Sequence, residues 1–261
     1  MGRERARRYG PGPRALPPLD ALTSDLWYTL LYVPPREQHR LDREREKLWS
    51  DPLVVDGYGD AEARALLRRF DRWTADREDA GHTPSVALQT EWMTRESGIR
   101  FSAREMGRAL DRLIAEAEVR VAPGARTTLA RLKDRGVRLG LVSNLLHETA
   151  DGARDVLATL GFAGLFRTLV FSDEHPWSKP SPAPFRYALR QLRVVPARAA
   201  HVGDLSYDTR GAAAAGLRPI LYTGLHRWEP ERLRSLARRV GPSIPRARRW
   251  ADVGSWVLAG R

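Results

Sequence analysis

Two acids, Asp204 and Asp208, follow the apolar run Ala199-Ala200-His201-Val202-Gly203. The run reads as a short strand, and the alanine-rich stretch from Gly211 to Gly216 reads as the helix after it. Carboxylates at such a strand-to-helix junction offer the hard oxygen ligands that suit Mg2+. Three further polar groups lie at the same kind of place. Asp25 follows Leu22-Thr23-Ser24, Ser143 and Asn144 follow Leu139-Gly140-Leu141-Val142, and Lys179 lies downstream of Leu169-Val170-Phe171-Ser172. Lys179 carries extra weight, because only three of the 44 basic residues are lysines (Lys47, Lys133 and Lys179). A compact ammonium presents a point charge to a phosphate or carboxylate, where a guanidinium presents a planar fork.

These groups can act together only if their strands lie side by side. Short apolar runs alternate with helical stretches in residues 20–32 and 121–223, the pattern of a parallel sheet with crossover helices. Strands should end near Asp25, Val142, Phe171, Val202 and Leu221, with helices at about 125–135, 147–160, 182–192 and 208–215. Gly136, Gly161 and Gly216 stand where helix C-caps belong. Residues 33–120 carry helical periods and no strand pattern: Arg36 to Trp49, Asp60 to Thr74, Ser85 to Glu96 and Ser102 to Glu118. Pro84-Ser85 reads as a helix start and Ser102 with Glu105 as a capping box. The predicted fold class is α/β, a Rossmann-like parallel sheet core with an inserted all-helical cap. Its parts are a flexible basic leader over 1–19, a core of 20–32 and 121–261, and a cap over 33–120. An insertion after the first strand sits over the carboxyl ends of the strands, where open α/β sheets bind ligands. The tail should hold a helix around Glu229 to Val240 and a last one packing Trp250, Val253, Trp256, Val257 and Leu258 on the core.

Bulk composition narrows the classes. With 261 residues the chain can bury a sizeable core. It has no cysteine, which removes disulfides and thiolate chemistry and fits a reducing, cytoplasmic setting. No apolar run approaches a membrane span, and the basic, proline-containing start lacks the apolar stretch of a secretory signal. The formal net charge of +12 comes from arginines mixed with acids along helix faces, as in Leu41-Asp42-Arg43-Glu44-Arg45-Glu46-Lys47. That pattern argues for solvated faces rather than a nucleic-acid groove. The six histidines show no metal-ligand spacing, His175 and His201 reading as structural or surface residues, and Trp49, Trp73 and Trp92 read as cap packing.

Taken together, the polar groups resemble the four motifs of the haloacid dehalogenase-like hydrolase superfamily, in the subgroup with a helical cap after the first strand. Asp25-Leu26-Trp27-Tyr28-Thr29 matches the first motif, Val142-Ser143-Asn144 the second, Ser178-Lys179-Pro180 the third, and Gly203-Asp204 with Asp208 the fourth. The resemblance implies a catalytic set of Asp25, Ser143, Lys179 and Thr29. Asp25 would be the nucleophile that forms an aspartyl-phosphate, Ser143 a donor to a phosphoryl oxygen, and Thr29 a hydroxyl supporting the nucleophile loop. It implies Mg2+ held by Asp25, the backbone carbonyl of Trp27, Asp204 and Asp208, and substrate contacts from Asn144 and Trp27. The implied function is a Mg2+-dependent, phosphatase-like hydrolase acting on a small phosphorylated metabolite, as a monomer or homodimer.

One residue departs from the motif. The second acid of the first motif, which protonates the leaving oxygen and then activates water, is Trp27 here. Indole donates but does not titrate usefully. The proton would then come from elsewhere, with Asp173, Glu174, His147 or the cap as sources. The alternatives are a catalytically impaired binding or regulatory protein, or dehalogenase-type chemistry at carbon. Against the latter, the chain keeps Asp204. Tyr28 stands where glycine is usual and should narrow the space beside the nucleophile.

Overall fold

The computed structural model describes residues 18–259, so most of the leader expected over 1–19 lies outside the described residues. Six strands form one parallel sheet: β1 (Ala21–Ser24), β4 (Arg138–Ser143), β5 (Thr168–Phe171), β6 (Ala199–Gly203), β7 (Arg218–Tyr222) and β8 (Arg246–Ala247). Their order is β5-β4-β1-β6-β7-β8. From β1 the chain builds one side of the sheet through β4 and β5 and the other through β6 and β7. β1 therefore marks the switch point at which such sheets open a crevice. The register puts Ser24 level with Leu141 of β4 and Val202 of β6, so Asp25, Ser143 and Asp204 leave three adjacent strands at nearly one height.

The strands are apolar because both faces are covered. Leu22, Leu139 and Leu141 pack on one face with Leu129 and Leu132 of α5 (Ala125–Asp134), Ala153 and Val156 of α6 (Ala150–Thr159), and Trp250, Val253 and Val257 of α10 (Trp250–Leu258). On the other face, Ala21, Val142 and Val170 meet Phe185, Leu189 and Leu192 of α7 (Ala183–Leu192) and Ala212 of α8 (Ser206–Ala214). Gly136, Gly161 and Gly216 follow helix ends with φ of 75°, 78° and 87°, a backbone region that disfavours a Cβ.

Four helices separate the first strand from the rest: α1 (Pro35–Val55), α2 (Asp60–Asp79), α3 (Val86–Ser97) and α4 (Ala103–Ala115). They bury their own cluster, in which Trp49, Phe70 and Trp92 sit with ring centroids 4.9 and 5.6 Å apart. Ser85 and Ser102 cap α3 and α4 by accepting from the N–H groups of Leu88 and Glu105, each at 3.3 Å. The neck of the insertion is closed by a feature the periodicity did not show. β2 (Leu31–Tyr32) pairs antiparallel with β3 (Arg120–Val121), too short a ladder to leave an alternation in the sequence.

The far end of the cap returns to the core. The Ser178 N–H donates to the Gly81 carbonyl at 3.0 Å, the Thr83 N–H donates to Ser178 Oγ at 2.7 Å, and the Tyr207 hydroxyl donates to the Asp79 carboxylate. In the tail, α9 (Glu231–Arg238) and α10 form where helices were expected, but Trp256 is 39% exposed and faces away from the core, unlike Trp250. No helix among the described residues is long and apolar enough to cross a membrane.

Candidate active site

At the carboxyl ends of β1, β4 and β6 the chain stops burying apolar side chains and buries charged ones. Asp25, Ser143, Lys179, Asp204 and Asp208 are all under 6% exposed. Lys179 Nζ donates to Asp25 Oδ1 and, at 2.7 Å, to Asp208 Oδ1. Ser143 Oγ donates to the same Asp25 oxygen at 3.2 Å. The four motif groups of the sequence thus meet at one spot, beneath α1 and beside a cavity of about 370 Å³.

Each group is held by its own partners. Asn144 Nδ2 donates to the Lys179 carbonyl at 3.0 Å and Asn144 Oδ1 accepts from the Lys179 N–H at 2.9 Å. These two bonds fix the lysine backbone, and Asn144 also lines the cavity. The Thr29 hydroxyl donates to Asp204 Oδ1 at 3.3 Å, and its carbonyl accepts from Trp250 Nε1 at 3.0 Å. Asp208 caps α8 by accepting the Leu205 N–H at 3.0 Å and turns its other oxygen to Lys179. His201, buried in β6, approaches Asp208 Oδ1 with Nε2 at 3.2 Å and Thr23 Oγ1 with Nδ1 at 2.9 Å. Burial lowers its affinity for a proton, and a neutral ring protonated at Nε2 fits both neighbours. Gly203 must be a glycine, because a Cβ there would lie 2.2 Å from Asp208 Cγ.

The electrostatics are unbalanced toward negative charge. Asp25, Asp204 and Asp208 can bring oxygens within 4.8 Å of one another, against the single ammonium of Lys179. Burial tends to raise Asp208, but Lys179 and His201 outweigh it and hold that acid well below the usual carboxylate range. Burial raises Asp25 despite the pull of Lys179. Asp204 is raised furthest, by burial and by Glu229, Asp25 and Asp208. Asp204 Oδ2 and both Glu229 oxygens are buried with no N–H or hydroxyl donor, and the two acids lie against each other. A donor set made only of hard oxygens, with an orphaned carboxylate oxygen and surplus negative charge, fits a divalent cation such as Mg2+.

Position 27 holds the result least visible in the sequence. The Trp27 indole N–H donates to Glu148 Oε1 at 2.5 Å. Glu148 is 4% exposed and lines the cavity with Asp25. Burial pushes its carboxyl up to about 7, although the indole N–H pulls the other way. Of the proton sources named from sequence, Asp173 accepts the Ala150 N–H at 3.3 Å and Glu174 pairs with Arg154 at 2.7 Å, and neither lines the cavity. His147 does line it, one residue from the buried acid. A carboxyl whose value is higher folded than unfolded (4.5) stabilises the fold below pH 4.5 and loses that contribution as pH rises through about 7. Glu148→Gln should therefore flatten the melting temperature between pH 5 and 7, where the parent loses roughly 2 kcal/mol from this group. Parallel pH curves for the two proteins would contradict the buried, raised carboxyl.

The loop carrying Asp25 is tied to the cap by side chains. Tyr28 takes a φ of 54°, unusual for a residue with a Cβ and costing about 1 kcal/mol. Its hydroxyl donates to Gln38 Oε1 at 2.9 Å, and Gln38 Nε2 donates to Asp42 Oδ1 at 2.7 Å along α1. Arg45, one turn further, is partly buried and lines the same cavity.

Known proteins resemble this chain in sequence and in fold. The family model for haloacid dehalogenase-like hydrolases matches residues 38–216. A phosphoserine phosphatase from Thermus thermophilus is 34% identical over 196 residues, covering 66% of this chain and 76% of that protein. A phosphoglycolate phosphatase from Cereibacter sphaeroides is 35% identical over 113 residues, 42% of this chain, and the match spans only 48% of that relative's length. The crystal structure of a phosphatase from Thermococcus onnurineus superposes with a TM-score of 0.63 at 22% identity, covering 93% of this chain and 99% of that one, and so shares the fold.

Proposed function

The chain belongs to the haloacid dehalogenase-like hydrolases, and from that premise we propose that it is a Mg2+-dependent phosphatase whose nucleophile is Asp25 and whose substrate is a small phosphorylated metabolite. The observation that supports this reading above all is the convergence of Lys179 Nζ and Ser143 Oγ on Asp25 Oδ1 beside the cavity. Both relatives named above act, by name, on small phosphorylated compounds.

In this reading Asp25, Asp204, Asp208 and the Trp27 carbonyl would hold Mg2+, which supplies positive charge against the repulsion between carboxylate and phosphate. Asp25 attacks phosphorus, the phosphorus bond to the leaving oxygen breaks, and an acyl phosphate forms. Lys179 and Ser143, which point at Asp25 in the free enzyme, are placed to donate to the oxygens of the arriving phosphoryl group. Glu148, held by Trp27, gives its proton to the leaving oxygen and then takes one from the water that attacks the acyl phosphate. Its raised value of about 7 keeps both protonation states populated near neutral pH.

The test is a panel of phosphomonoesters assayed with Mg2+ and with a chelator. Turnover should require the metal, and Glu148→Gln should lower kcat by about 100- to 10,000-fold. One observation favours a second reading, a phosphate-binding protein with little turnover: the indole where the motif has an acid. Its signature is metal-dependent thermal stabilisation by beryllium fluoride with no ester in the panel hydrolysed.

A further inference from the structure

Arg45 is the one cation of α1 that lines the cavity, and its donors are not spoken for. Its side chain is 12% exposed, its Nε is buried without a partner, and its ion pair is a 3.6 Å approach of Nη1 to Asp42 Oδ1. Asp42 Oδ1 already accepts from Gln38 at 2.7 Å, and Gln38 accepts from Tyr28 at 2.9 Å. The chain of bonds reaching up α1 therefore ends at a guanidinium with unmet donors. Burying a charged fork without hydrogen bonds is unfavourable, and buried polar atoms in folded proteins are nearly always satisfied. A ligand oxyanion is the natural partner, since a carboxylate or phosphate meets a guanidinium through two parallel hydrogen bonds.

Arg45 shares one cavity, about 370 Å³ in volume, with Asp25, Ser143 and Lys179. Building on the phosphatase reading, we propose that Arg45 binds a second oxyanion of the substrate, so that the enzyme selects short phosphomonoesters carrying either a carboxylate or a second phosphate at the end away from the scissile group. The acids around Arg45 sharpen the choice. Glu148, which lines the same cavity, and Asp42, one turn back along the helix, both act on its charge. Without Arg45 those acids would repel an anionic end, so one residue decides whether charge is admitted.

The experiment compares matched esters in the wild type, Arg45→Gln and Arg45→Lys. Phosphoglycolate against ethyl phosphate tests a carboxylate, and 1,3-propanediol bisphosphate against propyl phosphate tests a second phosphate. In the wild type kcat/KM should favour the doubly anionic member of at least one pair, and which pair identifies the oxyanion. That ratio should fall on the order of 10- to 100-fold in Arg45→Gln, mainly through KM, and recover in part in Arg45→Lys. A wild-type ratio near one for both pairs, or a loss in Arg45→Gln equal for both members of a pair, overturns the proposal. If the wild type hydrolyses none of the four, the phosphatase reading fails instead, and calorimetry with the same compounds decides the subsite. Tighter binding of a doubly anionic member that is lost in Arg45→Gln upholds it, and equal binding of both members overturns it.

Discussion

Asp25→Asn should reduce phosphate release by on the order of 10,000-fold or more, with the melting temperature close to that of the parent. The amide keeps the size of the carboxyl and one oxygen for Lys179 and Ser143 to donate to, so the packing around it persists. What it loses is the charge and lone pair that attack phosphorus, and a nucleophile acting within a set of cooperating groups is lost all at once rather than in part. Acid quenching during turnover of a ³²P-labelled ester should trap label on the parent and none on the variant. Retention of more than about a tenth of the activity, or label on the variant, would remove Asp25 from the chemistry.

Lys179→Met should be the most damaging single change to the fold. Lys179 is 4% exposed and answers two carboxylates, Asp25 and Asp208, that are themselves buried. Methionine fills the space but leaves those acids facing each other and Asp204 with no cation among them. Removing one member of a buried ion pair typically destabilises by about 3–5 kcal/mol. Asp208, held low by Lys179, contributes stability that the parent keeps above the unfolded value of 3.8 and loses only as pH falls below it. The variant lacks that contribution and should gain more stability than the parent as pH falls toward 4 and the orphaned acids take up protons. Mg2+ should restore part of the loss, because it supplies the missing positive charge. Denaturant unfolding across pH, with and without the metal, reads all three effects. A variant within 1 kcal/mol of the parent at pH 7 would show that the cluster is solvated.

The sequence displayed the polar floor of the cavity because its chemistry breaks a pattern. An apolar strand that ends in Asp25, Ser143 or Asp204 changes character at one residue, and parallel strands with matched ends bring those residues together. The cap helices were readable for the same reason, as apolar positions recurring along Trp49, Leu53, Phe70 and Trp92. Glu148 was not. It sits among Leu146-His147-Glu148-Thr149, just ahead of the Thr149 side chain that caps α6, where an acid ordinarily faces water. Only the tertiary approach of the Trp27 indole turns it inward. Arg45 hid for the opposite reason, as one charge in a highly charged helix whose other members are mostly solvated. Asn144 was read from its neighbours in the motif, while its hydrogen bonds to Lys179 depend on a loop 35 positions away.

The stitching of residues 81–83 to Ser178 ties two events into one. Ser178 directly precedes Lys179, so the segment joining α2 to α3 hangs from the peptide that carries the ammonium. A swing of the lid away from the sheet must tug on that peptide and slacken the grip on Asp25. Whatever closes the lid also tightens the ammonium's grip on Asp25, and by reciprocity whatever strengthens that grip biases the lid shut.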